Sequence, residues 1–379
     1  MINSQRLAQR FTTLCEIDSL SRRERDVAVE IEKILTAMGA RVCYDSAKEK
    51  VRGNCSNLVA KFKGTVAVPP LFLSGHMDTV GPGEGIRVRF DNGVFRSEGT
   101  TILGSDDKSA LAIILEVMET VLENKIDYPP VEVIFTVCEE IGLLGAKHFD
   151  YSLMESKFGY ILDSTDTEGI VTRAPAANKI RVRIHGKAAH AGAAPEKGVN
   201  AILIAARAIS KLQLGRLDPE TTCNIGTIKG GVATNIVPEL VEIHGEARSH
   251  DVEKLKAVTR TMIRAFEDAA LEFKTSEVTP RVEILVDDDF PLTHIPEDHE
   301  VIRLARKAAS NLGIPMAGKT IGGGADANIF FSRGIMAGVL GTGMTDVHTL
   351  NESIRLSDME NSARLILEIL KVHAAGGAA

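Results

Sequence analysis

The chain has 379 residues, 44% of them hydrophobic and 25% charged, which marks a well-packed soluble protein long enough to predict two domains. Its net charge of −7 excludes a surface built for nucleic acid or an anionic membrane, which needs clustered Lys and Arg, and no apolar run reaches the roughly 20 residues that cross a bilayer. The five cysteines (Cys15, Cys43, Cys55, Cys138 and Cys223) are scattered without CxxC spacing, and no signal-peptide pattern opens the chain, so a reducing, cytoplasmic setting is expected.

From Ser4 to Met38 apolar residues recur at helical spacing, predicting two amphipathic helices that stop at Gly39. Short β-like runs follow at Asn57–Phe62 and Leu71–Ser74, then a Gly-rich hairpin region and a helix from about Lys108 to Leu122. Val131–Val137 is a nearly continuous apolar, β-branched run, the mark of a strand covered on both faces, and Phe158–Leu162 repeats it. Alternation of such strands with helices predicts an α/β layer on a mixed, mostly parallel sheet sandwiched by helices. After Arg173 the pattern changes. Residues 179–185 alternate strictly, as in a strand with one wet face, and are followed by a helix near Asn200–Leu212, strands near 222–228 and 239–247, a helix from Val252 to about Phe273 and a strand at 281–286. That order predicts an inserted α+β domain with a βαββαβ plan and helices on one face of an antiparallel sheet. A helix at 298–311, a strand near 335–340 and a closing helix from Ser357 return to the first pattern. The expected division is 1–175 with 290–379, interrupted by 176–289.

Five islands place His or carboxylates at the ends of strand-like runs: SGHMDTV (74–80), GSDDKSA (104–110), VCEEIGLLGA (137–146), ILDS (161–164) and TDVHTLNE (345–352). His76 and Asp78 lie two apart, so in extended backbone they point the same way, and Asp78 can hold one ring nitrogen while the other binds a metal. Asp106 and Asp107 precede a helix, where acids also serve as plain caps. Glu139 and Glu140 end a buried strand, where two adjacent acids are costly unless paired, hydrated or metal-bound. One Glu could bind metal while the other acts as general base. Asp163 and His348 taken singly read as a loop cap and an ordinary surface or core His. Two His with three carboxylates form a set suited to two divalent ions sharing a carboxylate.

In this order the GHMD, GSDDK and Glu139-Glu140 motifs, the strand-end Asp163 and the late His348-Thr349-Leu350-Asn351-Glu352 run resemble the co-catalytic zinc exopeptidase family that includes peptidase T, aminoacylase and succinyl-diaminopimelate desuccinylase. The resemblance implies that Asp106 bridges two metal ions, zinc foremost with manganese or cobalt as alternatives. His76 and Asp163 would complete one site, and Glu140 and His348 the other. Glu139 would be the general base and Asp78 the support of His76; the Asp106-Asp107 peptide is often cis in such proteins. KAAHAGAAPEKGVNAI resembles the family's lid signature, implying that His190 stabilises an oxyanion, often in the partner subunit of a homodimer formed through the inserted domain. ATNIVP and GEARSHD likewise imply that Asn235 and Arg248 hold the substrate's carboxylate. Peptidase T proper carries Arg-Gly-Gly-Thr-Asp-Gly where this chain has Gly322-Gly323-Gly324-Ala325-Asp326-Ala327, so the Arg and Thr are replaced by Gly322 and Ala325. Gly323 and Gly324 could offer backbone N–H groups to a carboxylate, or simply form a turn that needs positive φ. The expected activity is hydrolysis of short peptides near a free terminus, as a tripeptidase or aminopeptidase. An N-acyl-amino-acid deacylase is the enzymatic alternative, and a non-catalytic metal-binding module the remote one. Hinges are expected near Arg173–Ala176 and Asp289.

Overall fold

The computed structural model describes residues 1–276 and 278–376. The chain divides into two compact units, one of Met1–Arg173, Thr293–Ile321 and the residues from Ala325 on, the other of Ala174–Leu292 with Gly322–Gly324.

The first unit is built on a nine-stranded sheet. Its centre is parallel: Val131–Thr136, Leu71–His76, Phe158–Ser164 and Met336–Gly341 lie side by side, with Leu73 opposite both Val133 and Tyr160. Every residue of Leu71–His76 and Val131–Thr136 is buried, which accounts for apolar runs without alternation. Antiparallel strands flank the centre, with Leu58–Phe62 and Arg41–Tyr44 beyond Val131–Thr136 and Gly169–Ala174 beyond Met336–Gly341. The helix Ser105–Glu123 packs on the Leu71–His76 strand and is itself buried from Ser105 through Val117. Its regular geometry starts only after Asp107, since Asp106 (φ −86°, ψ 100°) and Asp107 (φ −122°, ψ 29°) are not helical. The helices Ser4–Cys15 and Leu356–Gly376 cover it, inserting Leu7, Phe11 and Leu14 from one and Ile366, Ile369 and Leu370 from the other. Each such fully buried side chain contributes roughly 1.5–3 kcal/mol. A small antiparallel sheet of Val88–Asp91, Val94–Ser97 and Ser353–Arg355 ties the late segment to this unit.

The consequence for chemistry is alignment. His76 pairs with Thr136 and Ser164 with Gly341, so the parallel strands end together, and their carboxyl ends form the place where open α/β sheets bind ligands.

The second unit is an antiparallel sheet in the order Gly215–Asp218, Thr221–Gly230, Leu240–Ser249, Ala176–His185, Arg281–Phe290. The helices Ala201–Ser210 and Val252–Glu272 cover one face through Ile204, Ala208, Met262 and Phe266, against Ile180, Val182, Val241 and Ile243. The expected βαββαβ plan therefore gains a strand: Gly215–Asp218 pairs with Thr221–Cys223 at the edge. Four residues with one apolar side chain, Leu217, carry no periodic signal. Among the described residues no helix is long and apolar enough to cross a membrane.

Candidate metal centre

His76 closes a buried strand and is fixed at both ends of its ring. Nδ1 lies 2.9 Å from the backbone carbonyl of Asp78, which can only accept, so this nitrogen carries a proton. Nε2 then faces Oδ1 of Asp106 at 3.1 Å. The Asp78 carboxylate, expected to hold Nδ1, stands 3.5 Å away and is engaged elsewhere. It accepts from Glu139 N (2.9 Å), Glu140 N (3.2 Å) and Ser21 Oγ (2.6 Å), so its main contacts cap the turn that carries the two glutamates. The main chain of Asp78, and not its carboxylate, supplies the hydrogen bond that orients His76.

Asp106 lies between the two imidazoles. Its Oδ2 is 3.1 Å from Nε2 of His348, and that nitrogen is also 2.8 Å from Oε1 of Glu140. Ligand-type atoms of His76, Asp106 and Glu140 lie within 4.8 Å of one another, as do those of Asp106, Asp107 and Asp163, and Asp106 belongs to both groups. The Asp106-Asp107 peptide is cis. Asp107 points back into the sheet, where its Oδ2 accepts from His76 N at 3.1 Å and its Oδ1 is buried without a hydrogen-bond partner. Gly75 makes room for it, because a Cβ there would stand 2.7 Å from Asp107 Oδ2 and 2.8 Å from the Ala110 methyl.

Two buried acids outside the expected set build this geometry. Glu352, 1% exposed, takes Leu103 N and Gly104 N on one oxygen (2.8 Å each) and Ser105 Oγ (2.7 Å) and Asp106 N (3.0 Å) on the other. Glu24 accepts from Arg22 N (2.8 Å), Cys138 N (3.1 Å) and Cys138 Sγ (3.2 Å), which clamps Cys138 in the left-handed region at φ 55° directly before Glu139. His348 is also left-handed, at φ 63°. Such backbone costs roughly 1–3 kcal/mol per residue and persists only where its surroundings over-determine it. A third acid, Asp326, accepts from Thr136 Oγ1 at 2.6 Å and leaves its other oxygen buried without a partner. The sequence gives no sign of Glu24, and it shows Glu352 only as the end of the late His348–Glu352 run; the partners of both are mostly main-chain N–H groups far along the chain.

The electrostatics follow from burying acids together. Burial, then the Asp106 charge, raises the Asp163 carboxyl well above its usual range. Burial, then Asp163, Asp326 and Glu140, do the same to Glu139, although His76 pulls the other way. Asp326 is pushed up to about 6 by burial. At Asp106 burial is outweighed by His348 and His76, which hold its carboxyl below the usual range. His348 is pushed up to about 10 by its hydrogen bonds to Asp106 and Glu140, and at His76 burial is outweighed by the bond to Asp106 and the nearby Asp78 carboxylate, which raise the ring. Protons on two Nε2 atoms thus hold together acids that would otherwise repel. That charge pattern fits divalent cations, which would take the place of those protons.

In the second unit His190 and Asn235 are neighbours: His190 forms a bridge with Ile236, and Ala191 N donates to the Asn235 carbonyl at 2.9 Å. His190 Nδ1 accepts from Gly192 N (3.2 Å) and Ala193 N (3.1 Å), leaving Nε2–H as the ring's exposed donor. Arg248 is half-buried and bonded to Glu246 and to the Gly322 carbonyl. Gly322, Gly323 and Gly324 do not use positive φ. Gly324 is instead required for packing, since a Cβ would stand 2.6 Å from the Phe290 ring.

A cluster of two imidazoles and several acids at the carboxyl ends of parallel strands, with one carboxylate shared between both rings, defines a metal-dependent hydrolase. Residues 57–191 match peptidase family M28 and residues 176–274 the peptidase dimerisation domain. The chain is 38% identical to YqjE of Bacillus subtilis over 98% of its own length and 99% of the relative's. Its fold superposes on a crystal structure of aminopeptidase PepT from Bacillus cereus with a TM-score of 0.89 and 38% identity, covering 98% of this chain and 99% of that one. A tripeptidase from Staphylococcus aureus gives a TM-score of 0.93 and 38% identity, covering 99% and 100%. The chain belongs to the peptidase T-like members of the M20 peptidase family.

Proposed function

We propose that this protein is a dinuclear, zinc-dependent aminopeptidase that removes the N-terminal residue of short peptides, tripeptides foremost. The observation that carries the reading is the Asp106 carboxylate, whose two oxygens face Nε2 of His76 and Nε2 of His348 at 3.1 Å each. Full-length likeness to an aminopeptidase and a tripeptidase favours peptides over N-acyl amino acids as substrates.

His76 and Asp163 with Asp106 would hold one ion, and Glu140 and His348 with Asp106 the other. Oxygen and imidazole donors suit zinc, and also manganese or cobalt. Such ions supply Lewis-acid polarisation of the scissile carbonyl and a water acidic enough to ionise near neutrality. Glu139, whose carboxyl is raised by burial and by neighbouring acids, takes the proton of the attacking water and passes it to the leaving amine. Asp78 holds the main chain of Glu139 and Glu140 while this happens. The Nε2–H of His190 steadies the oxyanion, and Asn235 and Arg248 hold the substrate's carboxylate.

The working form is a homodimer joined through the inserted unit. The strand Thr221–Gly230 pairs with Gly215–Asp218 only as far as Cys223, and the exposed side chains of Ile228, Val232, Ile202 and Leu203 are apolar. An open strand edge beside apolar surface suits pairing with a second copy.

The test is a rate comparison of the zinc-loaded protein on tripeptides, dipeptides and N-acetyl amino acids. Tripeptides should turn over fastest; faster release of acetate from N-acetyl amino acids would replace the peptidase by a deacylase.

A further inference from the structure

Arg248 is not a free cation. It lies on the open face of the Leu240–Ser249 strand, two residues from Glu246 and therefore on the same side. Nε donates to Glu246 Oε1 at 3.1 Å and Nη2 to Oε2 at 3.0 Å, a side-on pair. Nη1 donates to the Gly322 carbonyl at 3.1 Å, and the guanidinium carbon sits 5.7 Å from the centre of the Phe290 ring. Phe290 is in turn pressed against Gly324, where any side chain would collide with the ring. One neighbour on the same strand and two from distant stretches thus fix one guanidinium.

A guanidinium has five N–H donors and two edges on which a carboxylate can sit with both oxygens. The contacts with Glu246 use the Nε/Nη2 edge, and the Gly322 carbonyl takes one N–H of Nη1. One N–H on each of Nη1 and Nη2 remains beyond these contacts. A free arginine would sample many rotamers and present these donors rarely.

We propose that Glu246 is the positioning residue for substrate recognition: it locks Arg248 so that the outer Nη1/Nη2 edge is presented, ready-made, to the C-terminal carboxylate of a peptide. The proposal rests on the reading of Arg248 as the carboxylate-binding group. It also makes the Gly322 carbonyl part of the device. The competing role for the same ion pair has Glu246 occupy Arg248 as a stand-in carboxylate that substrate must displace. The N–H groups left over on Nη1 and Nη2 favour positioning, because a carboxylate can bind them without displacing Glu246.

The two roles predict opposite signs. The experiment measures kcat and KM of the metal-loaded, full-length protein on a tripeptide with a free C-terminal carboxylate and on the same tripeptide as its C-terminal amide. The parent and the variants Arg248→Met, Glu246→Ala and Glu246→Gln are compared, with thermal unfolding as a check of folding. The parent should prefer the acid, and Arg248→Met should abolish the preference. Glu246→Ala should lower it about tenfold, in the range of a lost hydrogen-bond pair to a charged group, with the loss in KM for the acid rather than in kcat. Glu246→Gln, which keeps one acceptor oxygen, should fall between parent and Ala. Preference retained in Arg248→Met would remove the underlying reading of Arg248. Preference lost in Arg248→Met but equal to or above the parent in Glu246→Ala would leave that reading standing and overturn the positioning role. If the Ala variant does not fold, the Gln variant decides by the same ratio.

Discussion

Glu352 reaches Asp106 through the main chain: its Oε1 accepts the Asp106 N–H at 3.0 Å while Oε2 gathers Leu103 N and Gly104 N at 2.8 Å each. One buried carboxylate therefore shapes the backbone that aims Asp106. Glu352→Gln replaces one acceptor oxygen by a donor facing N–H groups. Zinc affinity, measured by competition with a chromophoric chelator, should fall about 10- to 100-fold with the fold retained, as for other groups that orient metal ligands. An unchanged affinity would show that the loop holds its shape without this acid.

Glu139 is read as the base and not as a ligand. Glu139→Gln should lower kcat by about 10²- to 10⁴-fold while both metal equivalents stay bound, checked by metal analysis of the dialysed protein beside the rate. Loss of metal together with rate would reassign Glu139 to the ligand set.

Gly75 leaves the space that the Asp107 carboxylate fills. In Gly75→Ala the new methyl would stand 2.7 Å from Asp107 Oδ2 and 2.8 Å from the Ala110 methyl, and neither neighbour is a flexible chain end. Urea unfolding should show a loss of roughly 1–3 kcal/mol, the usual cost of overpacking.

Lys108 is buried, with Nζ donating to the Leu14 and Ile17 carbonyls, and burial lowers it from 10.5 to about 8. Between those values the unfolded chain holds the proton that the folded chain releases, so stability rises with pH across this window and the full cost applies below about 8. The shift corresponds to roughly 3 kcal/mol. In chelated protein the stability difference between the parent and Lys108→Met should therefore change by that order between pH 8 and 10, in the parent's favour as pH rises. A pH-independent difference would mean that Lys108 is charged in the folded state at no cost.

The parallel strands were legible, and with them His76, Glu140 and Asp163, because each lies at the end of an apolar run long enough to announce a buried strand; Asp106 opens the helix Ser105–Glu123 and His348 lies in a turn, so they rest on the conjunction of motifs instead. His76, Asp106, Glu140 and His348 lie within hydrogen-bonding distance of one another in sequence-distant pairs. What holds them was not legible. Glu24 sits in the charged run Arg22-Arg23-Glu24-Arg25-Asp26 and looks like a solvated helix start, yet it is fully buried against Cys138. Its partners, like those of Glu352, are mostly backbone N–H groups, which carry no residue signature. The edge strand Gly215–Asp218 carries no sequence signal because its pairing, and not its side chains, makes it a strand. The tie between Arg248 and the Gly322 carbonyl spans 74 residues and likewise depends on chain path.

The central claim is that two ions share Asp106 and that catalysis needs both. The measurement is a zinc titration of chelated protein, with bound metal and tripeptide hydrolysis followed in the same samples. The expected result is activity that reaches its plateau only at two equivalents, with protons released as His76 and His348 exchange them for metal. Full hydrolysis by the chelated protein, or a single binding equivalent with full activity, would contradict it.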